Sequence, residues 1–340
     1  MRRQLTSFVK YSISLLVAVG LMYYVFHDWQ FDDLLARFGQ VNFWWVGLSV
    51  ALSLVSHWLR AWRWNLLLEY TGYHGLSTWR TFKAVMIGYL VNLAAPRLGE
   101  ISRCGVLKRT DNVNMSASMG TVVAERLVDI LGLGLLILLA FIIEFERISA
   151  FFNKFFYSRY EAWHITPGQF TLLVVFGLIL AVMLVLIWWF RERLQRKPLY
   201  FKIRSFIREM YDGFVSVLHL QRKAGFWLAT VGIWVLYYLM AFVMFYSVPA
   251  TAHLGPSAGL AILIMGGLAM SAPVQGGFGT YHLFVGAILI TYGIAEKDGY
   301  FFATLVHLSQ TVTVVVVGAV SMLLTRLTDE KKDENNLNKK

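Results

Sequence analysis

Long runs of apolar residues are the feature that most constrains this chain. A helix that crosses a membrane needs roughly 17 to 25 apolar residues. Runs that approach or exceed this length occupy residues 11–26, 43–66, 115–143, 170–190, 226–248 and 301–324. Only 15% of the 340 residues are charged, whereas soluble chains are about a quarter charged. These features exclude a soluble domain and predict an all-α, polytopic integral membrane protein.

The first apolar run has the basic flank that a signal peptide also has, since it follows Arg2 and Arg3. No small-residue cleavage site ends the run. Tyr23 and Tyr24 stand at its far end, as aromatic residues do at a membrane interface. We therefore predict an uncleaved first helix.

Three shorter apolar runs, residues 82–95, 257–272 and 281–292, fall below the length of a spanning helix. Two of them end beside a proline, Pro96 and Pro273, and proline interrupts a helix. We expect these runs to belong to two re-entrant helical hairpins among about six full crossings.

The basic residues favour this arrangement. Lys and Arg number 31 against 20 Asp and Glu, and cytoplasmic loops collect Lys and Arg. With six crossings, most basic residues lie on one side, in residues 1–10, 59–83, 97–112, 191–223 and 326–340. Both termini are then cytoplasmic, and the positive charge does not indicate nucleic acid as a partner.

The two interrupted segments share a pattern, Ala-Pro-x-x-Gly, at residues 95–99 and 272–276. Each copy follows two long runs and precedes a return segment and another long run. The first half contains three crossings, an odd number, so the second half starts on the opposite side of the membrane. We therefore predict inverted repeats over about 10–145 and 168–326.

The domain prediction is a single transmembrane domain over residues 1–326. Within it, residues 199–218 alternate apolar and basic side chains at helical spacing and predict an amphipathic interfacial helix. That helix either connects two spans or also attracts anionic lipid through its basic face. Residues 327–340 are charged and Asn-rich, and we expect a disordered cytoplasmic tail.

Broken helices must be buried in protein or line a wet cavity, because lipid cannot satisfy free backbone groups. The two breaks are therefore expected to meet near the membrane midplane, although a merely kinked helix pair fits the same pattern. Glycines near the breaks would allow a close approach of backbone to a ligand or a facing helix; they are Gly99, Gly276, Gly277 and Gly279.

Charged residues interrupt the long run 115–143 near its middle, at Glu125, Arg126 and Asp129. Each mid-membrane charge costs about 2.5 to 3.5 kcal/mol, so such residues usually face the interior and pair. Glu125 and Asp129 are four residues apart and share a helix face, whereas Arg126 and Asp129 are three apart and can also pair.

A second charged group, Arg97, Glu100 and Arg103, follows the first proline. In one interpretation, the arginines of both groups bind a lipid phosphate, which suits the planar guanidinium. The acidic residues would then orient the guanidiniums or carry protons. In the other, the same residues are structural pairs that lock the first hairpin to the long helix.

The second break carries a histidine, His282, which either packs or takes part in proton-linked gating. Asn92 and Gln275, beside the prolines, either cap free backbone groups or contact a head group. His253, His282 and His307 are scattered along the sequence and Cys104 is the single cysteine, so we expect no metal site, no disulfide and no cofactor. No catalytic constellation or nucleotide-binding motif appears, and we expect no enzymatic activity.

Three segments carry a family resemblance: residues 92–103 (NLAAPRLGEISR), residues 124–129 (AERLVD), and Pro273 with residues 276–279 (GGFG). They resemble the signatures of the lysylphosphatidylglycerol synthase transmembrane region, a flippase-like membrane domain also found as stand-alone proteins. The resemblance implies a bacterial or archaeal cytoplasmic membrane protein that moves lipid head groups between leaflets. It implies functional roles for Pro96, Gly99, Glu100, Arg103, Glu125, Arg126 and Asp129.

Two features depart from that family. Tyr281-His282 stands where the second glycine motif is often followed by Arg-Glu, which leaves the substrate of that half open. Full-length synthases also carry a soluble aminoacyltransferase domain after the membrane region, so we expect this chain to lack synthase activity.

These observations predict a flippase or transporter for an anionic, aminoacylated or polyprenyl-phosphate lipid. The alternative is a membrane scaffold or regulatory partner of a separate lipid-modifying or envelope-assembly enzyme. The residues predicted to bind substrate are Asn92, Pro96, Arg97, Gly99, Glu100, Arg103, Glu125, Arg126, Asp129, Pro273, Gln275, Gly276, Gly277, Gly279 and His282.

Overall fold

The computed structural model describes residues 16–337, except for residues 28, 30, 96–97, 144–216, 218 and 273. This part of the chain is all-helical and contains no strand. Its helices, in chain order, are α1 (Leu16–Phe26), α2 (Phe31–Gly39), α3 (Phe43–Tyr70), α4 (Thr78–Ala94), α5 (Leu98–Asp111), α6 (Met115–Ile143), α7 (Lys223–Met244), α8 (Pro256–Ser271), α9 (Thr280–Thr291) and α10 (Glu296–Leu337). Short 3-10 turns occupy Phe245–Ser247, Pro249–Thr251 and Gln275–Gly277.

Three helical stretches in the described residues are long and apolar enough to cross a membrane. They are Met115–Ile143, Lys223–Ser247 and Glu296–Thr328. A fourth crossing arises if α2 and α3, which meet at a bend of 80°, are taken as one span. The predicted run 170–190 and the start of run 11–26 lie outside the described residues, so the count of six stays a prediction.

Both predicted helical hairpins are present. In the first, α4 packs against α5, and in the second, α8 packs against α9. The residues at the two breaks also meet: a Cβ added to Gly276 would lie 3.0 Å from Cδ2 of Leu93, at the end of α4. The two breaks therefore come together, as expected when backbone freed from a helix must be enclosed by protein, and their place near the membrane midplane stays a prediction.

The order of elements occurs twice along the described chain. A long helix, a hairpin and a second long helix appear as α3, α4–α5 and α6, and again as α7, α8–α9 and α10. One apolar core lies mainly among α7 to α10 around Phe245 and Phe302, and another lies mainly among α3 to α6 around Trp64. Leu131, Leu135 and Ile142 of α6 stay exposed, which suits a lipid-facing surface.

The structure corrects one prediction about charged segments. Helix α10 continues to Leu337, so residues 327–337 are helical rather than disordered, since Glu and Lys are good helix formers that extend an existing helix. Arg60, Arg63 and Arg103, which the charge count assigned to the cytoplasmic side, are buried within α3 and α5, and their side of the membrane stays a prediction. The predicted interfacial helix at residues 199–218 falls almost entirely outside the described residues.

Candidate functional site

A cluster of ion pairs joins α3 to the middle of α6. Arg60 Nη1 donates to Glu125 Oε1 at 2.6 Å and to Asp129 Oδ2 at 2.9 Å. Arg63 Nη2 donates to Glu125 Oε1 at 3.2 Å and to Asp129 Oδ1 at 2.7 Å. The predicted pair of carboxylates on one face of α6 is thus confirmed, and each accepts from both arginines of α3.

The first hairpin contributes a third arginine to this cluster. Arg103 of α5 donates through Nη2 to Glu125 Oε2 at 3.0 Å. Its guanidinium lies 4.5 Å from the centroid of the Trp64 ring, a distance at which a cation and an aromatic face attract each other. Glu125 is 0% exposed, and it accepts hydrogen bonds from three arginines of two helices. We call Arg60, Arg63, Arg103, Glu125 and Asp129 the arginine cluster.

Helix α7 completes the surroundings of the arginine cluster. Arg60 Nη2 donates to the hydroxyl of Tyr237 at 3.0 Å, and Arg63 Nη1 donates to Thr230 Oγ1 at 3.3 Å. Side chains from the second half of the chain therefore accept hydrogen bonds from arginines of the first half.

Arg126 faces a different neighbour from the one predicted. Its Nη2 lies 3.5 Å from Glu100 Oε1, and the expected pair with Asp129 is not formed, because Asp129 pairs with α3. Adjacent residues of a helix project about 100° apart, so Arg126 turns toward α5 while Glu125 points inward. The Arg126 side chain is 41% exposed and that of Glu100 is 25% exposed, so this pair lies at the rim of the arginine cluster.

The arginine cluster has more positive than negative charge, with three guanidiniums against two carboxylates. On Arg103, both Nε and Nη1 are buried and lack a hydrogen-bond partner among the described residues. A buried N–H without a partner is costly, and an anion would satisfy it with a charge-assisted hydrogen bond. The arrangement is therefore suited to binding an anionic group beside Arg103.

Sequence reasoning missed Arg60 and Arg63 because it counted residues 59–83 only as a basic segment on the cytoplasmic side. The signal that could have found them is their position inside the long run 43–66. Two arginines three residues apart in such a run need buried partners, and the carboxylates of α6 have the matching charge.

Asn92 and Gly99 hold the first hairpin together. The backbone N–H of Gly99 donates to Asn92 Oδ1 at 2.8 Å, so Asn92 caps a free backbone group, the first of its two expected roles. A Cβ on Gly99 would lie 2.1 Å from the carbonyl oxygen of Gly88 in α4. Glycine is thus required where α4 and α5 cross. Pro96, Arg97 and Pro273 lie outside the described residues.

The second break is held by two histidines. His307 of α10 donates through Nε2 to the carbonyl of Gly276 at 2.8 Å, and the N–H of Gly279 donates to His282 Nδ1 at 3.3 Å. The ring centroids of His282 and His307 lie 5.1 Å apart, so two of the histidines that are scattered along the sequence meet in the structure. The described residues contain no group of three side chains that could hold a metal ion.

Glycine is needed at this break because Gly276, Gly277 and Gly279 all have positive φ, at 55°, 74° and 80°. Gln275 begins the 3-10 turn and is partly buried. The predicted site residues thus form two groups, one in the arginine cluster and its rim and one at the second break.

The long apolar helices and the buried charges between them define an α-helical, multi-pass membrane protein. The family model described as the lysylphosphatidylglycerol synthase TM region matches residues 11–318. The chain belongs to this family, which links it to a lipid-related function in membranes. No curated protein and no solved structure matches the chain.

Proposed function

We propose that the chain is a lipid transporter of the flippase type. It moves an anionic, aminoacylated or polyprenyl-phosphate lipid between leaflets and does not convert it chemically. The observation that carries this proposal is the arginine cluster, which is buried, has an excess of positive charge and leaves two N–H groups of Arg103 without a partner.

Such a cluster suits a lipid phosphate because of the donors that it leaves free. Glu125 holds Arg103 through Nη2 alone, so Nε and Nη1, which lie on different sides of the guanidinium, keep N–H groups without a partner. A phosphate has several acceptor oxygens and can accept a charge-assisted hydrogen bond from either nitrogen. Arg126 and Glu100 at the rim are partly exposed, and they would meet the head group first.

Transport, rather than simple binding, is supported by the two hairpins. Interrupted helices that meet inside a membrane protein form substrate sites in many transporters. We propose six crossings and two re-entrant hairpins in an inverted repeat, in the cytoplasmic membrane of a bacterium or archaeon, with both termini cytoplasmic. A separate lipid-modifying enzyme would supply or use the lipid.

The test is leaflet translocation of labelled phosphatidylglycerol, lysyl-phosphatidylglycerol and undecaprenyl phosphate in liposomes that contain the purified protein. We expect one of these lipids to cross. Arg103→Gln and Arg126→Gln should each slow it about tenfold or more, because a hydrogen bond to a charged group contributes about 1.5 to 3 kcal/mol. Arg126→Gln alters a partly exposed residue and so tests the site without disturbing the buried pairs.

Arg80→Gln is the matched control. Arg80 also pairs with a carboxylate, that of Asp111 at 2.5 Å, but its side chain is 54% exposed and lies outside the arginine cluster. Translocation should be unchanged in this variant. If none of the three lipids crosses with the folded, unmodified protein, transport by this chain alone is refuted, and the scaffold alternative is then tested by co-purification with a lipid-modifying enzyme.

A further inference from the structure

An apolar groove of about 420 Å³ runs between α3 and α10. Its α3 wall is formed by Phe43, Val46, Val50 and Leu54, and its α10 wall includes Leu308 and Val312. The α3 residues recur every three or four positions, so they form one continuous stripe along the helix. The groove therefore follows the helix axis.

The length of the groove matches one leaflet of a membrane. Phe43 and Leu54 are eleven residues apart, which is about 17 Å along an α-helix. One leaflet contributes half of a hydrocarbon core that is about 30 Å thick. An extended hydrocarbon chain of about this length would fit along the groove.

The α3 stripe changes from apolar to polar at one end of the groove. The next position on it after Leu54 is His57, whose buried Nδ1 has no hydrogen-bond partner among the described residues. Its Nε2 lies 3.3 Å from Ser53 Oγ, and its ring packs against that of Tyr89 of α4. Arg60 of the arginine cluster follows one turn later.

The α10 wall leads to the same place. Val317 lines the groove and also packs against the core around Trp64, on whose ring the Arg103 guanidinium lies. Both walls of the groove therefore lead toward the arginine cluster. A ligand that fits this surface has a long hydrocarbon chain and an anionic head.

We propose that the groove holds one hydrocarbon chain of the transported lipid while its head group lies at the arginine cluster, beyond the His57 end of the groove. This inference rests on the proposed function and adds a second subsite to it. The chain points toward the N-terminal end of α3 and the head group toward its C-terminal end.

Filling the groove tests this subsite. Val50→Trp and Val312→Trp place a large ring in the groove from either wall and should slow translocation about tenfold or more. Leu135→Trp is the matched control, because Leu135 is 68% exposed on α6 and does not line the groove. If the unmodified protein moves a lipid and both groove variants move it equally fast, the subsite is refuted and the proposed function stands.

Photo-crosslinking gives a readout that does not require transport. Phosphatidylglycerol with a diazirine near the end of its acyl chain should label peptides of α3 and α10 that line the groove, and Val50→Trp should reduce this labelling about tenfold. Competition by undecaprenyl phosphate or by unlabelled phosphatidylglycerol shows which chain type the groove prefers. Groove labelling without translocation would support the subsite and refute transport, whereas labelling spread evenly over the exposed face of α6 would overturn the subsite.

Discussion

Neutralising Glu125 is the perturbation that most directly tests the arginine cluster. Glu125 is 0% exposed and accepts hydrogen bonds from Arg60, Arg63 and Arg103 at 2.6, 3.2 and 3.0 Å. Glu125→Gln keeps the size of the side chain and removes its charge. The cluster would then contain three guanidiniums and a single carboxylate in a medium that screens charge poorly.

The expected loss of stability follows from these contacts. Removing one partner of a buried ion pair costs about 3 to 5 kcal/mol, because the remaining charge stays buried without compensation. Three arginines share Glu125, so we expect a loss in the upper part of this range. The measurement is the free energy of unfolding of the purified protein in detergent or lipid, obtained from a denaturant titration.

Glu100→Gln is the matched control for this experiment. Glu100 pairs with Arg126 at 3.5 Å, and both side chains are partly exposed, so the loss should stay below about 1 kcal/mol. A loss below about 1 kcal/mol for Glu125→Gln, or equal losses for the two variants, would refute the reasoning. Combining Glu125→Gln with Arg63→Met should recover part of the loss, since coupled residues are not additive.

Two glycine substitutions test the helix breaks. Gly99→Ala would place its Cβ 2.1 Å from the Gly88 carbonyl oxygen and should lower the free energy of unfolding by about 1 to 3 kcal/mol. Gly105→Ala, whose Cβ meets open space inside α5, should instead raise it by up to about 1 kcal/mol, because alanine favours a helix over glycine. Gly276→Ala places a side chain at a backbone φ of 55°, beside Leu93, and should lower the free energy of unfolding by about 1 to 2 kcal/mol. A thermal unfolding midpoint equal to that of the unmodified protein would contradict this prediction.

Much of the architecture could be predicted from the sequence, because bilayer thickness and helix geometry act locally. The length of each apolar run predicts a helix, and α6 occupies residues 115–143 as expected. Pro96 and Pro273 predict where the hairpins break. The spacing of Glu125 and Asp129 predicts that they share a face, since residues four apart on a helix are neighbours.

The pairing of the charges was decided only by the tertiary structure. Arg60 and Arg63 lie more than sixty positions before the carboxylates that they bind, and only the crossing of α3 and α6 brings them together. Local spacing predicted a pair between Arg126 and Asp129, but a helix rotates by about 100° per residue, and the packing of neighbouring helices decides which face turns inward. The sequence determined which segments are helical and where they break. The packing of those helices determined which charges meet.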